Sequence, residues 1–124
     1  YSFVYQTLNQ LSLETLGTKV ALTLSHGDKR KLELAMALAT GPKILLLDEP
    51  FAGLDQAESS KLIELLLSIK KNTPLLLIEH DMQAVFALAD KISVLNEGEI
   101  IESGSSEKIR RSKSVQNAYL GGYL

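Results

Sequence analysis

Ile44-Leu45-Leu46-Leu47-Asp48-Glu49-Pro50 and, further along, Leu75-Leu76-Leu77-Ile78-Glu79-His80-Asp81 decide how this chain folds. Neither apolar run alternates with polar residues, which predicts strands (Ile44–Leu47 and Leu75–Ile78) buried on both faces, as in a parallel sheet covered by helices. Between them, Leu62, Leu65, Leu66 and Ile69 recur at i, i+3, i+4 and i+7, the spacing of an amphipathic helix over Gln56–Lys71. Asp55, with Glu58 three residues on, reads as its capping box. Strand, helix and strand make a βαβ unit. A helix over Met82–Ala89 and a strand over Ile92–Leu95 follow, and Asn96-Glu97-Gly98 turns the chain into an edge strand at Glu99–Glu102. Upstream, Lys29–Ala39 reads as a helix stopped by Gly41-Pro42, and residues 1–24 as mixed helix and loop. Ser105–Leu120 carries two short helical patterns before Gly121-Gly122. The fold class is α/β.

Composition narrows the function. The chain has 124 residues, 45% hydrophobic and 23% charged, which is one ordinary globular domain or less. Thirteen basic against fifteen acidic residues give a net charge of −2, which argues against a dedicated nucleic-acid binder. Cysteine is absent, which rules out disulfides and thiolate metal sites. No apolar run approaches the roughly 18 residues of a membrane span, and no signal-peptide pattern opens the chain. These features predict a soluble, cytoplasmic unit, and a first residue other than Met hints at a piece of something longer.

Ligands of a parallel sheet bind beyond the carboxyl ends of its strands. Both runs end in polar residues there, so Asp48, Glu49 and His80 are expected at one edge. Acids so placed can hold a hard cation through oxygen or act as a general base, or they can be no more than solvated loop residues. Ser25-His26-Gly27-Asp28 precedes the Lys29–Ala39 helix. A helix start offers unpaired N–H groups suited to phosphate, although S-x-x-D read alone is foremost a capping box. Lys29, Arg30 and Lys31 then crowd the first turn, where the helix dipole disfavours cations and a nearby polyanion would offset the cost.

Taken together these residues carry a family resemblance. Leu24-Ser25-His26-Gly27-Asp28 resembles the LSGGQ signature of ATP-binding-cassette (ABC) ATPases, and Ile44–Pro50 their Walker B strand with its catalytic glutamate. Ala52-Gly53-Leu54-Asp55 resembles their D-loop, and Leu77–Asp81 the switch-histidine region. The order and spacing of all four agree from Leu24 to His80. Glu79-His80-Asp81-Met82 and Val115–Gly121 are similar to the branched-chain amino acid and urea importer subfamily. The departures are specific. The phosphate-cradling G-x-x-x-x-G-K-[ST] loop, the glutamine loop and an adenine-stacking aromatic do not occur, and Gly17-Thr18-Lys19 does not fit the loop's spacing. His26 stands where glycine or tyrosine is usual, and Asp28 where glutamine is.

The resemblance implies a partial P-loop NTPase fold of the ABC type, its parallel strands flanked by helices and its N-terminal Walker A half absent. Residues 1–41 would end the helical signature region, 42–104 would carry Walker B, D-loop and switch histidine, and 105–124 the C-terminal helices. It implies ATP and Mg²⁺ as ligands, with Asp48 positioning Mg²⁺ through water, Glu49 polarising the attacking water and His80 contacting the γ-phosphate. Ser25, His26, Gly27 and Asp28 would meet ATP bound to an opposite subunit, and Asp55 would both cap its helix and touch that subunit. Arg110, Arg111 and Lys113 read as a solvated helix face. The function implied is that of an ATPase subunit at the cytoplasmic face of the inner membrane. It would pair with a second such subunit and with transmembrane permease subunits, without nucleic acid, to power import of branched-chain amino acids or a similar small polar solute. An ABC ATPase of translation or DNA repair is the alternative, as is a non-catalytic interaction module. A sheet lacking its other half is expected to expose a strand edge and an apolar helix face.

Overall fold

The computed structural model describes residues 2–119. Tyr1, Leu120, Gly121 and Gly122 of the readings above lie outside the described residues. The described residues divide into two compact units, parting between Ala84 and Val85.

The first unit opens with helix α1 (Ser2–Gln10), followed by two short 3-10 turns at Glu14–Leu16 and Ala21–Thr23. Helix α2 spans His26–Leu38, so His26, Gly27 and Asp28 form its first turn and do not precede it, as the sequence reading had them. The cause is Ser25, whose extended backbone and side-chain oxygen cap the helix by accepting from the Asp28 N–H. At the other end Gly41 takes φ +65, a left-handed conformation that glycine adopts without strain.

Strand β1 (Leu45–Asp48) pairs in parallel with β2 (Leu75–Ile78), in the register Leu45↔Leu75 to Asp48↔Ile78. Helix α3 (Gln56–Ile69) connects them, and its capping box is complete: Glu58 N–H donates to Asp55 Oδ1 at 2.8 Å and Asp55 N–H to Glu58 Oε2 at 3.2 Å. The predicted βαβ unit is present, with β1 one residue later than Ile44–Leu47. The ladder extends past both ends, through Leu45 N–H to Pro74 O and Glu49 N–H to Ile78 O, each 2.9 Å.

Burial of the two strands differs from expectation. Leu45 is 4% exposed, but Leu46, Leu76 and Ile78 are more than half exposed. Side chains alternate across a strand, so one face of this two-stranded sheet is covered and the other is open. Leu62 and Leu66 of α3 are buried, and Leu11, Leu13 and Ala35 form a cluster on which Leu65 and Ile69 pack.

Helix α4 (Met82–Leu88) crosses the division into the second unit. There β3 (Ile92–Asn96) and β4 (Glu99–Gly104) form an antiparallel hairpin. Its turn residues Glu97 and Gly98 have φ +48 and +85, the pair of left-handed residues that a type I′ turn requires. Ile92, Val94, Ile109 and Val115 make a small core with the two short helices α5 (Ser106–Arg111) and α6 (Lys113–Tyr119). The basic face of this tail is not merely solvated. The Arg110 guanidinium lies 3.8 Å over the Phe86 ring, and Arg111 pairs with Glu107 at 2.7 Å. Lys108 and the Ser103 N–H hold the Glu102 carboxyl below the usual carboxylate range.

Candidate functional site

The candidate residues gather in two places, both in the first unit. The first is the carboxyl edge of the sheet. Because β1 and β2 are parallel and in register, their exits lie side by side, and Glu49 Oε1 comes within 3.5 Å of His80 Nδ1. Both side chains are more than half exposed, so their mutual attraction adds little stability, at most about 1 kcal/mol. Their proximity is better understood as placement. Glu49 sits at φ +45, a backbone conformation costly for a residue with a side chain and commonest at functional sites. Its N–H still belongs to the ladder, while its carbonyl accepts from Ala52 N–H at 3.1 Å and opens the turn that follows. Buried Pro50 and Phe51 anchor that turn, leaving the Glu49 carboxylate in solvent at the strand end.

Asp48, the last residue of β1, is exposed, and its carboxylate has no hydrogen bond or ion pair among the described residues. No group of three or more potential metal ligands occurs among the described residues. That donor set does not suit a caged cation. It does suit Mg²⁺, which keeps several waters and takes one or two carboxylates together with substrate phosphates.

The second place is the start of α2. Of the N–H groups that its first turn leaves unpaired, Asp28 donates to Ser25 Oγ at 3.1 Å and Gly27 to Glu58 Oε1 at 3.2 Å. The His26 N–H is left without a partner among the described residues. Only half of the S-x-x-D capping box is therefore present. Asp28 turns instead to Lys31 at 3.9 Å, and Arg30 pairs with Glu33 at 2.8 Å, so carboxylates already offset part of the first-turn positive charge. An open cleft of about 170 Å³ lies here, lined among others by Ser25, Gly27, Arg30, Lys31 and Lys61. It is smaller than the roughly 300 Å³ at which small-molecule sites begin, so it could admit a phosphate group but not a whole nucleotide. His26 is exposed and lines no part of it.

Glu58 joins this site to α3. One oxygen accepts from Gly27 and the other from Asp55, so the signature-like turn and the D-loop-like residue share one carboxylate. A Cβ on Gly27 would lie 3.0 Å from Glu58 Oε1, so a larger residue there would require the carboxylate to give by a few tenths of an ångström. From sequence, Glu58 was legible only as half of a capping box. Its second contact spans 31 residues and leaves no local signal.

A parallel strand pair with acids and a histidine at its carboxyl edge, and a polar helix start beside a D-loop-like cap, are the features on which the resemblance to ABC ATPases rests. The known proteins agree. The ABC transporter family profile matches residues 2–52. The high-affinity branched-chain amino acid transport ATP-binding protein LivG of Escherichia coli (strain K12) is 42% identical over 92% of this chain and 46% of its own length. BraF of Pseudomonas aeruginosa, described in the same terms, is 40% identical over the same shares. Among solved structures, the ADP conformation of MJ1267, an ATP-binding cassette of an ABC transporter, superimposes with a TM-score of 0.87. It is 30% identical, and the match covers 97% of this chain and 49% of that one. The chain is similar to the ATP-binding proteins of ABC transporters over nearly all of its length, and it spans about half the length of the relatives it matches.

Proposed function

We propose that this chain is the signature and Walker B portion of an ATPase subunit that, as a complete cassette, hydrolyses ATP to drive uptake of branched-chain amino acids or a similar small polar solute. The observation that carries the reading is the 3.5 Å approach of Glu49 Oε1 to His80 Nδ1 at the ends of adjacent parallel strands. Glu49 serves as general base for the attacking water, and His80 donates to the terminal phosphate. Asp48 would position Mg²⁺ through water, and the ion would supply charge neutralisation for the phosphates. Ser25, His26, Gly27 and Asp28, with Asp55, face the nucleotide of a second cassette, so two copies or relatives pair head to tail. The 124 residues contain no G-x-x-x-x-G-K-[ST] loop, so phosphate cradling by the same subunit must come from sequence outside them. No helix among the described residues is long and apolar enough to cross a membrane. Docking on transmembrane permease subunits at the cytoplasmic face of the inner membrane is part of this proposal.

The test is Glu49→Gln in a complete cassette carrying this sequence. Hydrolysis should fall about 10²–10⁴-fold with ATP binding retained, because the amide keeps the size and loses the base. Hydrolysis at the wild-type rate would remove Glu49 from the role.

A further inference from the structure

Three backbone N–H groups from two different loops converge on one carboxylate. Glu79 Oε1 accepts from Phe51 N–H at 3.0 Å, and Glu79 Oε2 accepts from His80 N–H at 3.1 Å and Asp81 N–H at 3.3 Å. Phe51 lies two residues beyond Glu49, in the turn after β1, and is itself buried. Glu79 itself, with His80 and Asp81, begins the loop after β2. One half-buried side chain thus ties the two loops together where Glu49 and His80 approach each other.

We infer that Glu79 is a positioning residue, which fixes the Glu49 carboxylate and the His80 imidazole at their separation by clamping the backbone of both loops. Three features of the geometry support this. Glu49 occupies a left-handed conformation that persists only where surrounding contacts determine it, and the Glu79–Phe51 bond restrains the turn just past it. The two bonds to His80 and Asp81 set the path by which the chain leaves β2, and so where the imidazole starts. Finally, the task calls for a carboxylate, because both oxygens are acceptors and together offer about four lone-pair sites. An amide has one accepting oxygen and a donor NH₂, so glutamine could hold one loop at a time. Aspartate is a methylene shorter and could not span both. The catalytic half of the inference rests on the ATPase reading above, whereas the clamp belongs to the chain without nucleotide.

Amide hydrogen exchange by NMR on the 124-residue chain reads the clamp directly. In Glu79→Ala, exchange at Phe51, His80 and Asp81 should quicken about 10- to 100-fold, as expected for lost charge-assisted bonds, while α3 amides stay unchanged. Glu79→Gln should quicken either Phe51 or the His80–Asp81 pair, and it carries the comparison if the alanine variant does not fold. A second arm measures ATP hydrolysis in a complete cassette carrying this sequence. There, Glu79→Ala should lower kcat about 10- to 100-fold, the scale of a displacement near 1 Å, with ATP affinity within about twofold and Glu79→Gln intermediate. Unchanged exchange at all three amides overturns the clamp. Faster exchange with unchanged kcat overturns the positioning role. A wild-type cassette that does not hydrolyse ATP refutes the ATPase reading instead, and leaves the clamp to be decided by exchange.

Discussion

Glu58 offers the sharpest test of how the two halves of the candidate site are held. Glu58→Ala removes two contacts: the part-buried bond from Gly27 N–H and the exposed bond from Asp55 N–H, each 3.2 Å. Bonds to charged groups contribute about 1.5–3 kcal/mol when well made, and these are long. We assign about 1 kcal/mol to the part-buried contact and about half that to the exposed one, partly offset by alanine's slightly better helix propensity. The expected loss is about 1–1.5 kcal/mol. It should be concentrated at the starts of α2 and α3, because the Asp55 side chain still accepts from residue 58 N–H. Denaturant unfolding gives the total, and amide exchange at Gly27 and Asp55 locates it, each expected to quicken about tenfold at most. A double-mutant cycle with Asp55→Ala should show coupling of about 0.5 kcal/mol or more, since the two side chains form one box. If Gly27 exchange is unchanged while Asp55 exchange rises, Glu58 acts only as a local cap and the bridge to α2 is wrong. Fully additive losses would refute the reciprocal box.

Further outcomes follow from the same structure. Leu66→Ala, at a fully buried position of α3, should cost about 2–5 kcal/mol by thermal or urea unfolding. Ile78→Thr, on the open sheet face, should cost less than about 1 kcal/mol in the same assay; equal costs would mean that face is covered. The 124-residue chain alone should bind MgATP only weakly, since it lacks the phosphate loop, and a micromolar Kd by calorimetry would overturn that expectation. Lys108 lowers the Glu102 pKa in the folded hairpin, so this pairing contributes stability above the ordinary glutamate value. That contribution is lost as pH falls through the folded pKa, and Glu102→Gln should flatten this part of the acid limb in a pH series of unfolding.

What could be read from the sequence was whatever is encoded within a few residues. The repeat of Leu62, Leu65, Leu66 and Ile69, the Asp55–Glu58 spacing and the Glu97-Gly98 turn each specify a local geometry, and each is present. The apolar runs specified strands, but not their cover. Residues 44–47 are equally apolar on both sides, so the pattern could not distinguish a face packed by α3 from one left open. That is a property of what else is folded against the sheet. The helix start was placed late for a similar reason. Gly27 and Asp28 are poor helix formers, and only the bonds to Ser25 and Glu58 draw them into the first turn of α2.

The long-range carboxylates were beyond local reading, and they organise the site. Glu58 reaches back to Gly27, and Glu79 reaches across to Phe51, over 31 and 28 residues respectively. In each case a side chain beside the end of one element accepts a backbone N–H from another, so a motif on one loop is registered against a motif on the next. The residues proposed to act on ATP are exposed and loosely paired, as groups that must meet a substrate have to be. Their precision cannot come from their own contacts: the Glu49–His80 approach is 3.5 Å in open solvent and worth little by itself. It comes from the backbone beneath them, set by the parallel register of β1 and β2 and, on the inference above, by Glu79, to which the family resemblance assigns no role. On the proposed reading, Glu79→Ala should therefore lower the activity of a complete cassette while every residue assigned to ATP is left unchanged.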